Sequence, residues 1–172
     1  IETLSVLSIS EGQFTTLTGR FFDAGTRDAV TVTIDWADGQ EDVLTLEPGA
    51  TRIETTHRYA DSGAYLIAVT LDDGDGGIVQ AFVDTDLTTP GVTEPLIVGN
   101  LAPEQVSTGG PYTIEEGGDL VLSATAGDAA GPADPLVFVW DIDLDRNGSF
   151  SGAELAVAST ATATLTWVDL KS

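Results

Sequence analysis

Along most of this chain apolar and polar residues alternate one by one, the period of a β-strand with a single buried face. The clearest runs are Val30-Thr31-Val32-Thr33-Ile34-Asp35-Trp36, Tyr65-Leu66-Ile67-Ala68-Val69-Thr70-Leu71 and Leu136-Val137-Phe138-Val139-Trp140. Valine and threonine are frequent in the sequence, and their branched side chains suit a pleated surface. Turn residues stand between the runs: Ala37-Asp38-Gly39, Glu47-Pro48-Gly49, Asp61-Ser62-Gly63 and the acidic stretch from Asp72 to Gly77. No segment of helical length carries an apolar stripe at the helical period. The pattern predicts an all-β chain.

Strands bounded by turns every 8 to 12 residues or so predict a β-sandwich. That spacing gives about seven strands before residue 88, over 2–10, 14–22, 29–36, 42–47, 51–58, 64–71 and 78–86. The stretch 88–99, with Pro90, Gly91 and Pro95, interrupts the alternation and reads as a linker. A second β region begins near Asn100. Its Val139-Trp140-Asp141-Ile142-Asp143 echoes Ile34-Asp35-Trp36-Ala37-Asp38-Gly39, so regions 1–87 and 100–172 are read as related modules.

Charge narrows the possible partners. The chain of 172 residues carries 28 acidic and 6 basic residues, a formal net charge of -22. Such a surface repels nucleic acid and anionic membranes and attracts cations. Nucleic-acid binding is set aside, and with no run of 18 apolar residues no membrane insertion is expected. Hydrophobic residues make up 42 %, enough for a packed core. There is no cysteine, which excludes disulfides, thiolate metal sites and thiol catalysis. With Ile1 first and no visible signal peptide, the chain reads as processed or as a piece of something longer.

The strongest chemical signal is the stretch from Asp143 to Glu154, which fills every fixed position of the calcium-loop pattern D-x-[DN]-x-[DN]-G-x5-E. Asp143, Asp145 and Asn147 supply side-chain oxygens at positions one, three and five, and Gly148 supplies the sharp turn. The Ser149 carbonyl, a water near Ser151 and two oxygens of Glu154 complete the expected shell, and Asp141 stands just upstream as a further ligand or support. A strand rather than a helix leads into the loop, and the competing reading is an acidic turn between strands with no bound metal. Asn147-Gly148-Ser149 also fits the glycosylation sequon, an overlap taken as accidental because an Asn acting as ligand is not free to carry a glycan.

Several short motifs in order carry a family resemblance. Asp35-Trp36-Ala37-Asp38-Gly39, His57-Arg58-Tyr59 and Gly63-Ala64-Tyr65 make residues 1–87 resemble a PKD-type domain, an immunoglobulin-like repeat of bacterial secreted and surface proteins. The family motif has Gly where Ala37 stands. Residues 100–172 are similar to another variant of the group, through Asn100-Leu101-Ala102-Pro103, Gly109-Gly110-Pro111-Tyr112, Glu116-Gly117 and Trp140-Asp141-Ile142-Asp143. The resemblance implies tandem immunoglobulin-like sandwiches, with the second module lacking the counterparts of strands 64–71 and 78–86. Truncation, complementation by strands of another chain and a smaller fold are the three explanations.

The other candidates are weaker. Asp72, Asp73 and Asp75 crowd three carboxylates into a hairpin, read as solvated, with Glu11 or Asn100 as completing ligands if metal binds. His57 is the single histidine; no Gly-x-Ser-x-Gly elbow accompanies it, and the resemblance gives it a structural role. Trp36 and Trp140 are expected as core anchors, while Trp167 and Tyr112 are left between core and sugar-stacking surface. Acids are so abundant that no glycosidase pair stands out. The expectation is a non-catalytic structural or adhesive repeat of a large secreted or cell-surface bacterial protein, stiffened by calcium. Its partners would be neighbouring modules or copies of itself. The alternatives are a filament or surface-layer segment completed by a neighbour's strands, and a polysaccharide-binding module of an exoenzyme. A halophilic habitat would also account for the charge.

Overall fold

In the computed structural model the alternation of the sequence becomes an alternation of burial. The structure describes residues 1–172 apart from Thr26, Pro90, Leu144, residues 152–157, Val168 and Ser172. The described chain is all-β, with several antiparallel sheets, and it divides into two compact units, Ile1–Leu101 and Ala102–Ser172.

The described residues of the first unit form the strands β1 (Thr3–Ser5), β2 (Ile9–Ser10), β3 (Phe14–Arg20), β4 (Val30–Asp35), β5 (Glu41–Leu46), β6 (Arg52–Arg58), β7 (Gly63–Tyr65), β8 (Ala68–Asp72), β9 (Ile78–Phe82) and β10 (Leu96–Gly99). They form sheets of order β1-β3-β6, β2-β10-β7 and β5-β4-β8-β9. Thr15, Leu17 and Gly19 face inward from β3, and Val30, Val32 and Ile34 face inward from β4. Leu17, Val30, Val32 and Ile34 meet Ile53, Val69, Leu71, Leu96 and Val98 in one cluster, an arrangement consistent with a β-sandwich. Burying each aliphatic side chain of this size contributes about 1.5–3 kcal/mol before chain entropy is charged against it.

Three features depart from the sequence reading. The expected strand 2–10 is two strands in different sheets: β1 pairs with β3, and β2 runs parallel to β10. The expected strand 64–71 likewise breaks into β7 and β8, which pair with β10 and β4 respectively. Leu96–Gly99, assigned to the linker, is β10, with Leu96 and Val98 in the core. Its proline-rich surroundings hid it, because pairing partners distant in sequence leave no local mark.

The second unit holds β11 (Glu104–Ser107), β12 (Leu120–Ser123), β13 (Thr125–Gly127) and β14 (Thr162–Leu165). β11 pairs with β13 and β12 with β14, both antiparallel. Single 3-10 turns lie at Gly131–Ala133 and Asp169–Lys171. The run 136–140 keeps its alternation: Leu136, Phe138 and Trp140 are half-buried, while Val137 and Val139 are 81 % and 62 % exposed. Its only described pairing is a bridge from Trp140 to Ala158. Among the described residues, the buried apolar side chains of this unit are Ala130, Ala163 and Leu165. Among the described residues this is a thin core.

Candidate metal centre

The described part of the 143–154 loop is wound around its own carboxylates. Asp143 accepts the Asn147 N–H on Oδ1 at 3.1 Å and the Gly148 N–H on Oδ2 at 3.0 Å. Asp145 Oδ1 accepts the same Asn147 N–H at 3.0 Å, and its Oδ2 accepts Asn147 Nδ2–H at 2.6 Å. Asn147 Oδ1 in turn accepts the Ser149 N–H at 2.7 Å. Two residues bend the loop through left-handed backbone, Arg146 at φ 61 and Gly148 at φ 78. Gly148 meets that demand without strain.

These bonds draw Asp143, Asp145 and Asn147 together and link Ser149 to them. All four offer hard oxygens, from three side chains and the Ser149 carbonyl, the donor type that calcium takes. Each Asp143 oxygen accepts one described N–H and keeps a further lone pair for a cation. Asp145, Asn147 and Ser149 are exposed, and so is Asp141, two residues before the loop. Glu154, the expected bidentate ligand, lies outside the described residues. Among the described residues no three Asp, Glu or His side chains converge as a metal-holding group.

The Asp72–Gly77 hairpin uses its carboxylates internally. Asp72 Oδ1 accepts the Gly74 N–H at 2.8 Å, and Asp73 Oδ1 accepts those of Asp75 and Gly77 at 3.0 and 2.9 Å. Asp73 and Gly77 border a groove of about 240 Å³ beside Phe21 and Phe22, just past the end of β3. Glu11 precedes the start of that seven-residue strand, roughly 20 Å away at the ordinary rise per residue. Glu11 therefore does not complete a shell at the hairpin. The sequence offered no register that would have separated them.

The tryptophan and histidine motifs meet in the first unit. Trp36 is fully buried and stacks on His57 with ring centroids 4.5 Å apart, and its Nε1–H donates to Asp42 Oδ2 at 3.0 Å. His57 Nε2 lies 2.8 Å from Asp38 Oδ2. The Tyr59 hydroxyl donates to the Trp36 carbonyl at 2.9 Å, and its ring lies 4.3 Å from that of Tyr65. Burial, then the charge of Asp38, pushes the Tyr59 hydroxyl far above its ordinary value. Ala37, where the resembled motif has Gly, sits at φ 62.

Trp140 differs from Trp36. It is half-buried rather than a core anchor, with Nε1–H donating to the Thr160 carbonyl at 2.8 Å. The Tyr112 hydroxyl is held against the Thr108 and Ser123 carbonyls and accepts the Ser123 N–H at 2.8 Å. That fixes Tyr112 within its own unit. Trp167 is half-buried, and its N–H donates to Asp119 Oδ1 at 3.3 Å. Against known proteins, the chain matches no family model, and no curated protein matches it.

Proposed function

We propose that this chain is a non-catalytic structural or adhesive segment of a large secreted or cell-surface bacterial protein. It comprises two tandem immunoglobulin-like modules of PKD type, with calcium bound by the 143–154 loop. The observation that supports the calcium reading is the hydrogen-bond pattern that links Asp143, Asp145, Asn147 and Ser149 around the Gly148 turn. Asp143, Asp145, Asn147 and the Ser149 carbonyl would hold the ion, with Asp141 and Glu154 as further ligands. Calcium would supply no chemistry beyond charge: it relieves repulsion between carboxylates and ties a loop whose residues are mostly exposed. The PKD reading is supported by the meeting of Trp36, Asp38, His57, Tyr59 and Tyr65, the residues on which the resemblance rests, in one connected cluster.

The test is thermal unfolding of this chain with about 1–2 mM calcium, with equal magnesium and with excess chelator, in the range of extracellular calcium modules. The expected result is a rise with calcium alone that shrinks when Asp143→Ala and Asp145→Ala are combined. An unchanged response in that double variant would return the loop to an ordinary acidic turn.

A second reading draws on the described residues of the second unit, where Leu120, Leu122, Leu136 and Phe138 are only half-covered. A sheet face left in this state favours strands supplied by a neighbouring chain, as in a filament or surface layer. Concentration-dependent growth in light scattering supports that reading, and a monomer at all concentrations removes it.

A further inference from the structure

Glu11 is a carboxylate buried at one end of the first unit with half of its hydrogen-bonding capacity unused. It is 1 % exposed and stands in the turn between β2 and β3. Its N–H donates to the Gly99 carbonyl at 2.9 Å, and its Oε1 accepts the Leu101 N–H at 2.6 Å. Oε2 is buried as well and has no hydrogen-bond partner among the described residues. Neither does Glu11 share in the described ion pairs, Arg52 with Glu54 and His57 with Asp38. Arg58, at the end of β6, directs its Nε–H to the Gly12 carbonyl. A carboxylate taken out of water with neither a counter-charge nor a second donor is strongly disfavoured.

Strand register identifies what else stands at this end. β10 runs parallel to β2, with Val98 opposite Ile9 and Gly99 opposite Ser10. It runs antiparallel to β7, with Val98 opposite Gly63. The residues just after β2, just after β10 and just before β7 therefore share one end of the sheet: Glu11, then Asn100 and Leu101, then Asp61 and Ser62. Asp61 is half-buried and uses Oδ1 to accept the Ser62 N–H at 2.7 Å. Asn100 is exposed.

We infer that Glu11 Oε2 is the inner ligand of a second calcium site at the end of the β2-β10-β7 sheet, completed by the Asp61 carboxylate, the Asn100 amide oxygen and water. The donors are all oxygen and come from three separate segments, which suits the flexible shell of calcium better than the strict octahedron of magnesium. Two carboxylates balance the charge of one divalent ion. Binding would fasten the Gly99–Leu101 segment to the Glu11 turn, where one hydrogen bond from each of Glu11 N–H and Leu101 N–H already joins them. This site does not rest on the 143–154 loop.

The experiment uses the whole chain with the loop disabled by Asp143→Ala and Asp145→Ala, compared with the same chain carrying Glu11→Gln in addition. The glutamine side chain retains an oxygen for the Leu101 N–H and removes the charge. Thermal unfolding is followed in calcium, in magnesium and in chelator. The loop-disabled chain is expected to be stabilised by calcium, and Glu11→Gln to abolish that response while leaving the chain at least as stable in chelator. Asp61→Asn serves as a second variant should Glu11→Gln fail to fold, and is expected to weaken calcium binding by about tenfold or more. The site is overturned if the loop-disabled chain ignores calcium. It is overturned equally if the response survives both Glu11→Gln and Asp61→Asn. A response that survives the loop substitutions in full and disappears with Glu11→Gln retains this site and removes the loop.

Discussion

His57 and Asp38, 19 residues apart in sequence, form a shielded pair: His57 Nε2 lies 2.8 Å from Asp38 Oδ2, and the side chains are 8 % and 12 % exposed. The same aspartate accepts the Gln40 N–H on Oδ1 at 3.0 Å, so one side chain ties strand β6 to the turn after β4. The imidazole lies flat on Trp36 at an interplanar angle of 10°. Asp38→Ala would leave a buried ring nitrogen unpaired and open the turn, at a cost of about 2 kcal/mol. Asp38→Asn should cost less, because an amide oxygen can still accept. Urea unfolding of the two variants checks the order, and equal losses would sink the assignment.

Ala37 occupies the second residue of the same turn with a left-handed backbone, φ 62. That conformation costs a residue with a Cβ about 1–2 kcal/mol. Replacing it by glycine recovers that strain and adds about 0.5–1 kcal/mol of chain entropy to be lost on folding. Ala37→Gly is therefore expected to stabilise the first unit by up to about 1 kcal/mol. Denaturant midpoints measure it directly, and a clear destabilisation would contradict the geometry.

Tyr59 predicts loss of stability in alkali. Burial, then Asp38, raises its hydroxyl above the ordinary phenol value, and Tyr65 shifts the same way through burial and Asp61. The unfolded chain releases these protons near pH 10 or so, while the folded chain still holds them. The stabilisation is thus complete below about pH 10 and declines as pH rises toward the folded values. Tyr59→Phe removes the bond to the Trp36 carbonyl, costing about 1 kcal/mol at neutral pH, and should flatten the alkaline decline. Unfolding measured on both sides of that pH decides it; an unchanged slope would refute the role given to Tyr59.

The two units should unfold at different points. The first buries Leu17, Val32, Ile34, Trp36, Ile53, Ile67 and Val69 completely, whereas the described buried apolar side chains of the second are two alanines and Leu165. Stability follows apolar area removed from water, so β12 and β14 are expected to open before β4 and β8. Hydrogen exchange should show amides of 120–123 and 162–165 exchanging well ahead of those of 30–35 and 68–72. Simultaneous exchange would argue that the second unit draws its stability from elsewhere.

Alternation of apolar and polar residues was sufficient to predict an all-β chain, most of the long strands and the buried face of each. It is a local property: side-chain direction reverses at every residue of a strand, so the burial pattern is written in the order of the residues. The 143–154 motif is likewise a local pattern, because its residues are neighbours in sequence. What escaped the sequence depends on pairing across long separations. The breaks that send β1 and β2, or β7 and β8, to different sheets follow from partners far along the chain, as does the membership of Leu96–Gly99 in the core. Glu11 is the sharpest case. In sequence it is one acid among 28, and only the parallel pairing of β2 with β10 buries it against Leu101 with one oxygen unanswered. Hydrophobic pattern determines which way a side chain faces; tertiary register determines what it faces, and the chemistry of a buried charge belongs to the second.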